Sequence, residues 1–156
     1  LLTSFLNTAY GLDMKYVPYK GGGRVAKELA GKNADSTVNN PSEQLGFWEA
    51  GKTRPLAAFT ATRLAVFPDV PTFKELGKDY VYYMQRSIIA PQGIDKEVQA
   101  FYVSVFDKVY KSDEWQNYLK TKCLIPGWLT GQALTDYFIA EREAHRALLK
   151  AAGEIK

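Results

Sequence analysis

Twice within the first fifty residues a short run of β-favouring residues breaks on a turn and passes directly into a helical pattern. This order limits the folds open to the chain more than any other feature. Met14-Lys15-Tyr16-Val17-Pro18-Tyr19 reads as a strand in which Pro18, lacking a donor, must sit where a ladder does not need one. Gly21-Gly22-Gly23 follows, then Val25, Ala26 and Leu29 at helical spacing, closed by Gly31. The second unit runs from Ala34–Val38 through Asn39-Asn40-Pro41-Ser42-Glu43 into a helix with Leu45 and Trp48 inward, ended by Gly51. Its start signal is the best in the chain: Asn40 suits the N-cap, Pro41 the first helical position, and Glu43 can reach back in a capping-box manner. Pro55–Phe59 reads as a third strand, Pro68 and Pro71 punctuate a loop before a short helix capped by Thr72, and Tyr80–Ala90 reads as one long or bent strand ending at Pro91. Alternation at this spacing predicts an α/β fold, a parallel sheet with right-handed crossovers flanked by helices.

Either side of this stretch the pattern is helical. Leu2, Phe5, Leu6 and Ala9 recur at helical intervals with Gly11 placed as a left-handed stop, so residues 3–10 read as a helix end. After residue 90, Asp95 can cap a helix through Val98, Phe101, Tyr102, Val105 and Val109, and Ser112 a shorter one with Trp115, Tyr118 and Leu119. Thr130 starts the last helix, with Leu134, Tyr137, Phe138, Leu148 and Leu149 on one side. The expected division is an α/β segment, residues 1–90, followed by a helical segment, residues 91–156.

Composition closes off several function classes. At 156 residues and 46% hydrophobic content the chain can bury a core. Lys and Arg (20) exceed Asp and Glu (17) by only 3, too weak a field for nucleic acid. One cysteine, Cys123, forbids an intrachain disulfide, and with a single histidine the ligand set of a zinc site cannot be assembled. No run approaches the roughly 18 apolar residues of a membrane span. His145 lies on the apolar stripe of the last helix, where a packed or hydrogen-bonded ring is expected rather than a base or metal ligand. No serine sits in a nucleophile elbow, and no cofactor motif is present: the glycines match neither the dinucleotide fingerprint nor the phosphate-loop spacing. Catalysis is not expected.

Two turns carry chemistry. Lys20-Gly21-Gly22-Gly23 lets backbone approach a ligand closely at a helix N-terminus, and Asn39-Asn40-Pro41-Ser42 supplies amides and a hydroxyl over the next. Together they suit a carboxylate, with Lys20 adding charge. The plainer reading keeps equal standing on spacing alone: three glycines make a tight turn, and Asn40 is a cap.

At these turns the sequence resembles a known family. Val17-Pro18-Tyr19-Lys20-Gly21-Gly22-Gly23, Val38-Asn39-Asn40-Pro41-Ser42-Glu43, Ala50-Gly51-Lys52, Phe67-Pro68-Asp69-Val70-Pro71-Thr72 and Ala90-Pro91-Gln92-Gly93 stand in the order seen in the Bug-type solute-binding receptors of tripartite tricarboxylate transporters. The resemblance implies a type II periplasmic binding protein that closes two lobes on a small di- or tricarboxylate and hands it to a membrane permease. Such receptors are about twice this length. Together with the absence of a leading Met, this leads us to expect that residues 1–90 are the second lobe, residues 91–156 the helices that return to the first, and that the first lobe and the signal peptide lie outside this chain. Carried over by position, ligand contacts fall on Tyr19, Lys20, Gly21, Gly22 and Gly23, and on Asn39, Asn40 and Ser42. Many relatives carry an acidic residue where Asn39 stands, so a neutral amide favours plain dicarboxylates or tricarboxylates over amino acids. Arg86 keeps two readings, a bidentate contact to the ligand or an internal ion pair that pins the hinge. An alternative role for the same fold is to report carboxylate to a membrane signalling receptor. Phe101, Val105, Phe138 and Leu148 are expected to fold back, dimerise or lie exposed without the first lobe.

Overall fold

Local signals decide where the helices start and stop. The computed structural model describes every residue except Ala152 and Glu154, and the described residues form α1 (Leu2–Tyr10), α2 (Gly22–Ala30), α3 (Pro41–Glu49), α4 (Lys96–Tyr110), α5 (Asp113–Thr121) and α6 (Gly131–Ala151). They fall into two compact units, one of Leu1–Tyr19 with Gly127–Lys156, the other of Lys20–Pro126. No helix among the described residues is long and apolar enough to cross a membrane.

In the first unit α1 ends where its glycine predicts: Gly11 takes φ 62°, and its N–H and that of Leu12 both reach the Asn7 carbonyl. The Asn7 side chain then holds the chain beyond, donating to the Met14 carbonyl at 3.1 Å and accepting the Met14 N–H at 2.9 Å. On α6, His145 Nδ1 lies 2.7 Å from the Glu141 carbonyl oxygen, a hydrogen-bonded ring within its own helix.

The second unit holds α2 against α3 and α4 against α5. Three of these helices end in the same device, a left-handed residue whose two neighbouring N–H groups turn back onto the last carbonyls. At α3 the residue is Gly51 (φ 67°), with Gly51 N–H on Trp48 O and Lys52 N–H on Phe47 O, both 2.8 Å. At α2 the left-handed residue is Lys32 (φ 61°) and not the expected Gly31, and at α5 it is Cys123 (φ 53°). The core between α3 and α4 is aromatic: Phe59 stacks on Phe73 at 4.3 Å and meets Tyr80 edge-on, while Trp48 meets Phe67 edge-on at 5.1 Å. Thr72, 1% exposed, caps a single turn: Glu75 N–H donates to its Oγ1 and its own N–H donates to Glu75 Oε2. The short helix expected there is one turn long because Gly77 (φ 77°) reverses the chain at once. Arg63 grips the same carboxylate through Nε at 2.9 Å and also reaches Pro68 O.

The parallel sheet flanked by helices does not form. Among the described residues no strand is present, and the β pairing consists of one isolated parallel bridge between Ala58 and Thr72. Strand propensity reports that side chains suit a pleated surface; a strand also needs a second backbone to accept its N–H groups, and that partner is distant in sequence. Residues 14–19 take no regular structure: the Met14 backbone is taken by Asn7, and Pro18 has no donor. In 80–90 the contact to another expected strand is Tyr82 N–H on Phe59 O, 2.8 Å. No second layer covers these stretches: Tyr16 is 69% and Ile89 80% exposed. Phe101 on α4 is likewise 62% exposed.

Both kinds of turn can be tested by substitution. Lys32→Gly removes the side-chain clash of a left-handed residue and should stabilise the chain by about 0.5–1 kcal/mol in urea unfolding, net of the added unfolded-state entropy. The hydrogen bond from the Thr72 N–H has the largest effect on the Glu75 carboxyl and holds it below its ordinary value; burial opposes this, and the Arg63 guanidinium adds to the lowering. A group depressed on folding contributes stability above its unfolded value of 4.5 that is lost as pH falls through the lower folded one. Glu75→Gln should therefore flatten the acid limb of the melting temperature against pH profile below that value while leaving the shape near pH 7 unchanged.

Candidate functional site

The two turns singled out by the sequence meet in the second unit, and one side chain joins them. Pro41 at the first position of α3 has no N–H to orphan, and Glu43 two residues on turns back so that its Oε2 accepts the Asn40 N–H at 3.2 Å, the carboxylate half of a capping box. The Glu43 N–H closes the turn on Asn40 O at 3.0 Å. The same carboxylate lies against the start of α2, so closely that a Cβ added at Gly22 would overlap it. A side chain at 22 would have to displace the Glu43 carboxylate, whereas at Gly21 the demand for glycine is conformational, φ 78°. Gly23 has neither constraint, with open space where a Cβ would stand.

Asn39 completes the junction. Its amide nitrogen donates one proton to Gly22 O and the other to Glu43 Oε2, both at 3.0 Å, and its Oδ1 accepts from Gln44 Nε2 at 3.2 Å. Gln44 Nε2 also faces Thr37 Oγ1 at 3.4 Å, and Gln44 Oε1 is buried with no partner among the described residues. Both Asn39 donors are thus engaged inside the protein. Asn40 Nδ2 lies 3.9 Å from the Met84 sulfur, a weak acceptor.

What remains open to a ligand is a set of donors. Arg24 and Val25 N–H turn onto Gly21 O, but the N–H groups of Gly22, Gly23 and Ser42 have no acceptor among the described residues, as first-turn amides do not. Lys20 and Ser42 are exposed beside them in sequence. Two helix N-termini, a free ammonium and a hydroxyl make a surface that favours an anion. Of the other expected contacts, Tyr19 is half-buried and belongs to the first compact unit. Arg86 is exposed in the irregular stretch 80–90 of the second and makes no ion pair among the described residues. No cluster of three or more His, Cys, Asp or Glu side chains is placed to hold a metal among the described residues. Cys123 is half-buried, and that burial pushes its thiol up, away from the reactive thiolate.

Sequence reasoning reads Glu43 as a cap and misses its second role. The available signal is the run Asn39-Asn40-Pro41-Ser42-Glu43-Gln44, in which two further amides and a carboxylate crowd a helix start that needs one cap. Gly22→Ala should push the carboxylate off α2 and forfeit its two hydrogen bonds, leaving the variant about 1–3 kcal/mol less stable than Gly23→Ala, which gains helix propensity at no steric cost. Chemical denaturation of the two variants side by side checks this.

Residues 1–153 match the model of the tripartite tricarboxylate transporter family receptor. The chain is 26% identical over 146 residues to a UPF0065 protein in the gbd 5′ region of Cupriavidus necator, covering 94% of this chain and 44% of that one. It is 31% identical over 99 residues to protein BugT of Bordetella pertussis, covering 63% of this chain and 30% of BugT. Among solved structures it is similar to R. palustris Rpa4515 with adipate, at a TM-score of 0.86 and 28% identity, covering 97% of this chain and 51% of that one. The chain thus spans about half the length of these relatives, or less.

Proposed function

Because this chain belongs to the tripartite tricarboxylate transporter receptor family, we propose that it forms part of an extracytoplasmic solute-binding receptor that captures a small organic carboxylate and passes it to a membrane permease. The observation that carries this reading is the junction of two turns that leaves the amides of Gly22, Gly23 and Ser42 free at adjoining helix starts, with the exposed Lys20 next to them in sequence. A carboxylate has two oxygens with several lone pairs and needs several donors held together, which is what these turns offer. The similar R. palustris protein was solved with adipate, a dicarboxylate, in keeping with this ligand class.

The mechanism is binding without turnover. Gly21, Gly22 and Gly23 let the ligand approach the backbone, Lys20 supplies charge, Ser42 and Asn40 supply polar contacts at the start of α3, and Tyr19 and Arg86 are the further contacts we propose. In this reading residues 1–90 belong to the second lobe, which closes with a first lobe over the ligand because the closed state binds it more tightly, and the residue 91–156 helices return to the first lobe. A neutral amide at Asn39 gives the site one negative charge fewer than an aspartate would, which favours a plain dicarboxylate over an amino acid.

Titration calorimetry on the full-length protein with adipate, citrate, benzoate and glutamate tests the reading. A dicarboxylate should bind, and Lys20→Ala should weaken it at least about tenfold, as expected for loss of a charge-assisted hydrogen bond. Heat from none of the acids would end the proposal.

A further inference from the structure

We propose that Glu43 and Asn39 are positioning residues of the carboxylate site: they contact the two turns instead of the ligand, and hold the amides of α2 and α3 at the spacing a carboxylate needs. This rests on the binding role proposed above. The two turns are 16 or more residues apart in sequence, and no hydrogen bond between their backbones ties the Gly21–Gly23 turn to the Asn39–Ser42 turn. The connection runs through side chains alone. One Asn39 proton goes to Gly22 O and the other to Glu43 Oε2, and that oxygen also takes the Asn40 N–H. The Glu43 carboxylate fills the space beside Gly22 that any Cβ would need.

The arrangement has a chemical consequence for the ligand. An acid at a ligand site normally repels an anion, yet here Glu43 is turned inward: its Oε2 accepts two protons, and it rests between two helix starts whose partial positive charge offsets its own. The amides of Gly22, Gly23 and Ser42 are left without an acceptor among the described residues. Asn39 must be an amide for this to work, since an aspartate in its place would have no proton for Gly22 O and would set a second negative charge 3.0 Å from Glu43 Oε2. Asparagine at 39 is therefore required by its neighbour as much as by any ligand.

Hydrogen exchange and adipate titration on the full-length protein test the assignment together. In Glu43→Ala, amides of both 20–25 and 38–45 should exchange faster and adipate should bind at least tenfold more weakly; Glu43→Gln, whose amide oxygen accepts the same two bonds, should recover most of both. Asn39→Asp should resemble Glu43→Ala. Faster exchange confined to the start of α3 would show Glu43 to be a cap and overturn the proposal, as would unchanged adipate affinity in Glu43→Ala, or Glu43→Gln behaving as Glu43→Ala does. If the unaltered protein binds no carboxylate, the proposed function fails, while the exchange pattern still decides whether Glu43 ties the turns together.

Discussion

One carboxylate oxygen, Glu43 Oε2, does most to organise the place where the Gly21–Gly23 and Asn39–Ser42 turns meet. It receives a backbone proton from the start of its own helix and a side-chain proton from Asn39, whose second proton reaches the carbonyl of Gly22. The closest helix pairing of the second compact unit, α2 with α3, thus begins at a point where two chain segments are joined by polar contacts and not by an apolar seam. That fits the burial: Ala26 and Glu28 are the buried residues of α2, and α3 has none. Glu28 is held by Arg24 and by Asn33 Nδ2 at 2.9 Å, a second acid kept in place by local partners. The apolar contribution comes from further along the chain, where Phe59, Phe73 and Tyr80 pack together and Phe67 meets Trp48.

How much of this was legible in the sequence depends on how far each interaction reaches. Helix ends are decided within four or five residues, and Gly11, Pro41, Asn40, Ser112 and Gly51 each mark one that the structure shows. Ser112 Oγ accepting the Trp115 N–H is the plainest case. Even so, the left-handed residue after α2 is Lys32, one position beyond the glycine that announced it, because backbone geometry and not residue type has the final say there. The sheet failed as an expectation for the opposite reason. Val17, Leu56, Ile88 and Ile89 have the side chains of strands, but all are exposed, and the backbones they would pair with do not come alongside.

The site was partly legible. The glycine turn and the two asparagines stood out as loops suited to an anion, and the structure brings those two turns together. What composition and spacing could not show is which donors the protein uses for itself. Asn39 stood as a ligand contact because the resemblance carried it over by position and its turn supplies amides at a helix start; in three dimensions both its protons go to Gly22 and Glu43. Gly22 and Gly23 are indistinguishable in sequence, yet one abuts a carboxylate and the other open space.

The stretch from residue 81 to 90 has a further consequence. It belongs to no helix or strand, its side chains are largely exposed, and one of its amides, Tyr82, meets another segment of the chain. A protease cleft reads its substrate's main chain through the groups that a paired strand would hide. The place where the sheet did not form is therefore open to being cut, and scission within Met84 through Ala90 would separate the Gly21–Gly23 and Asn39–Ser42 turns from helices α4 and α5.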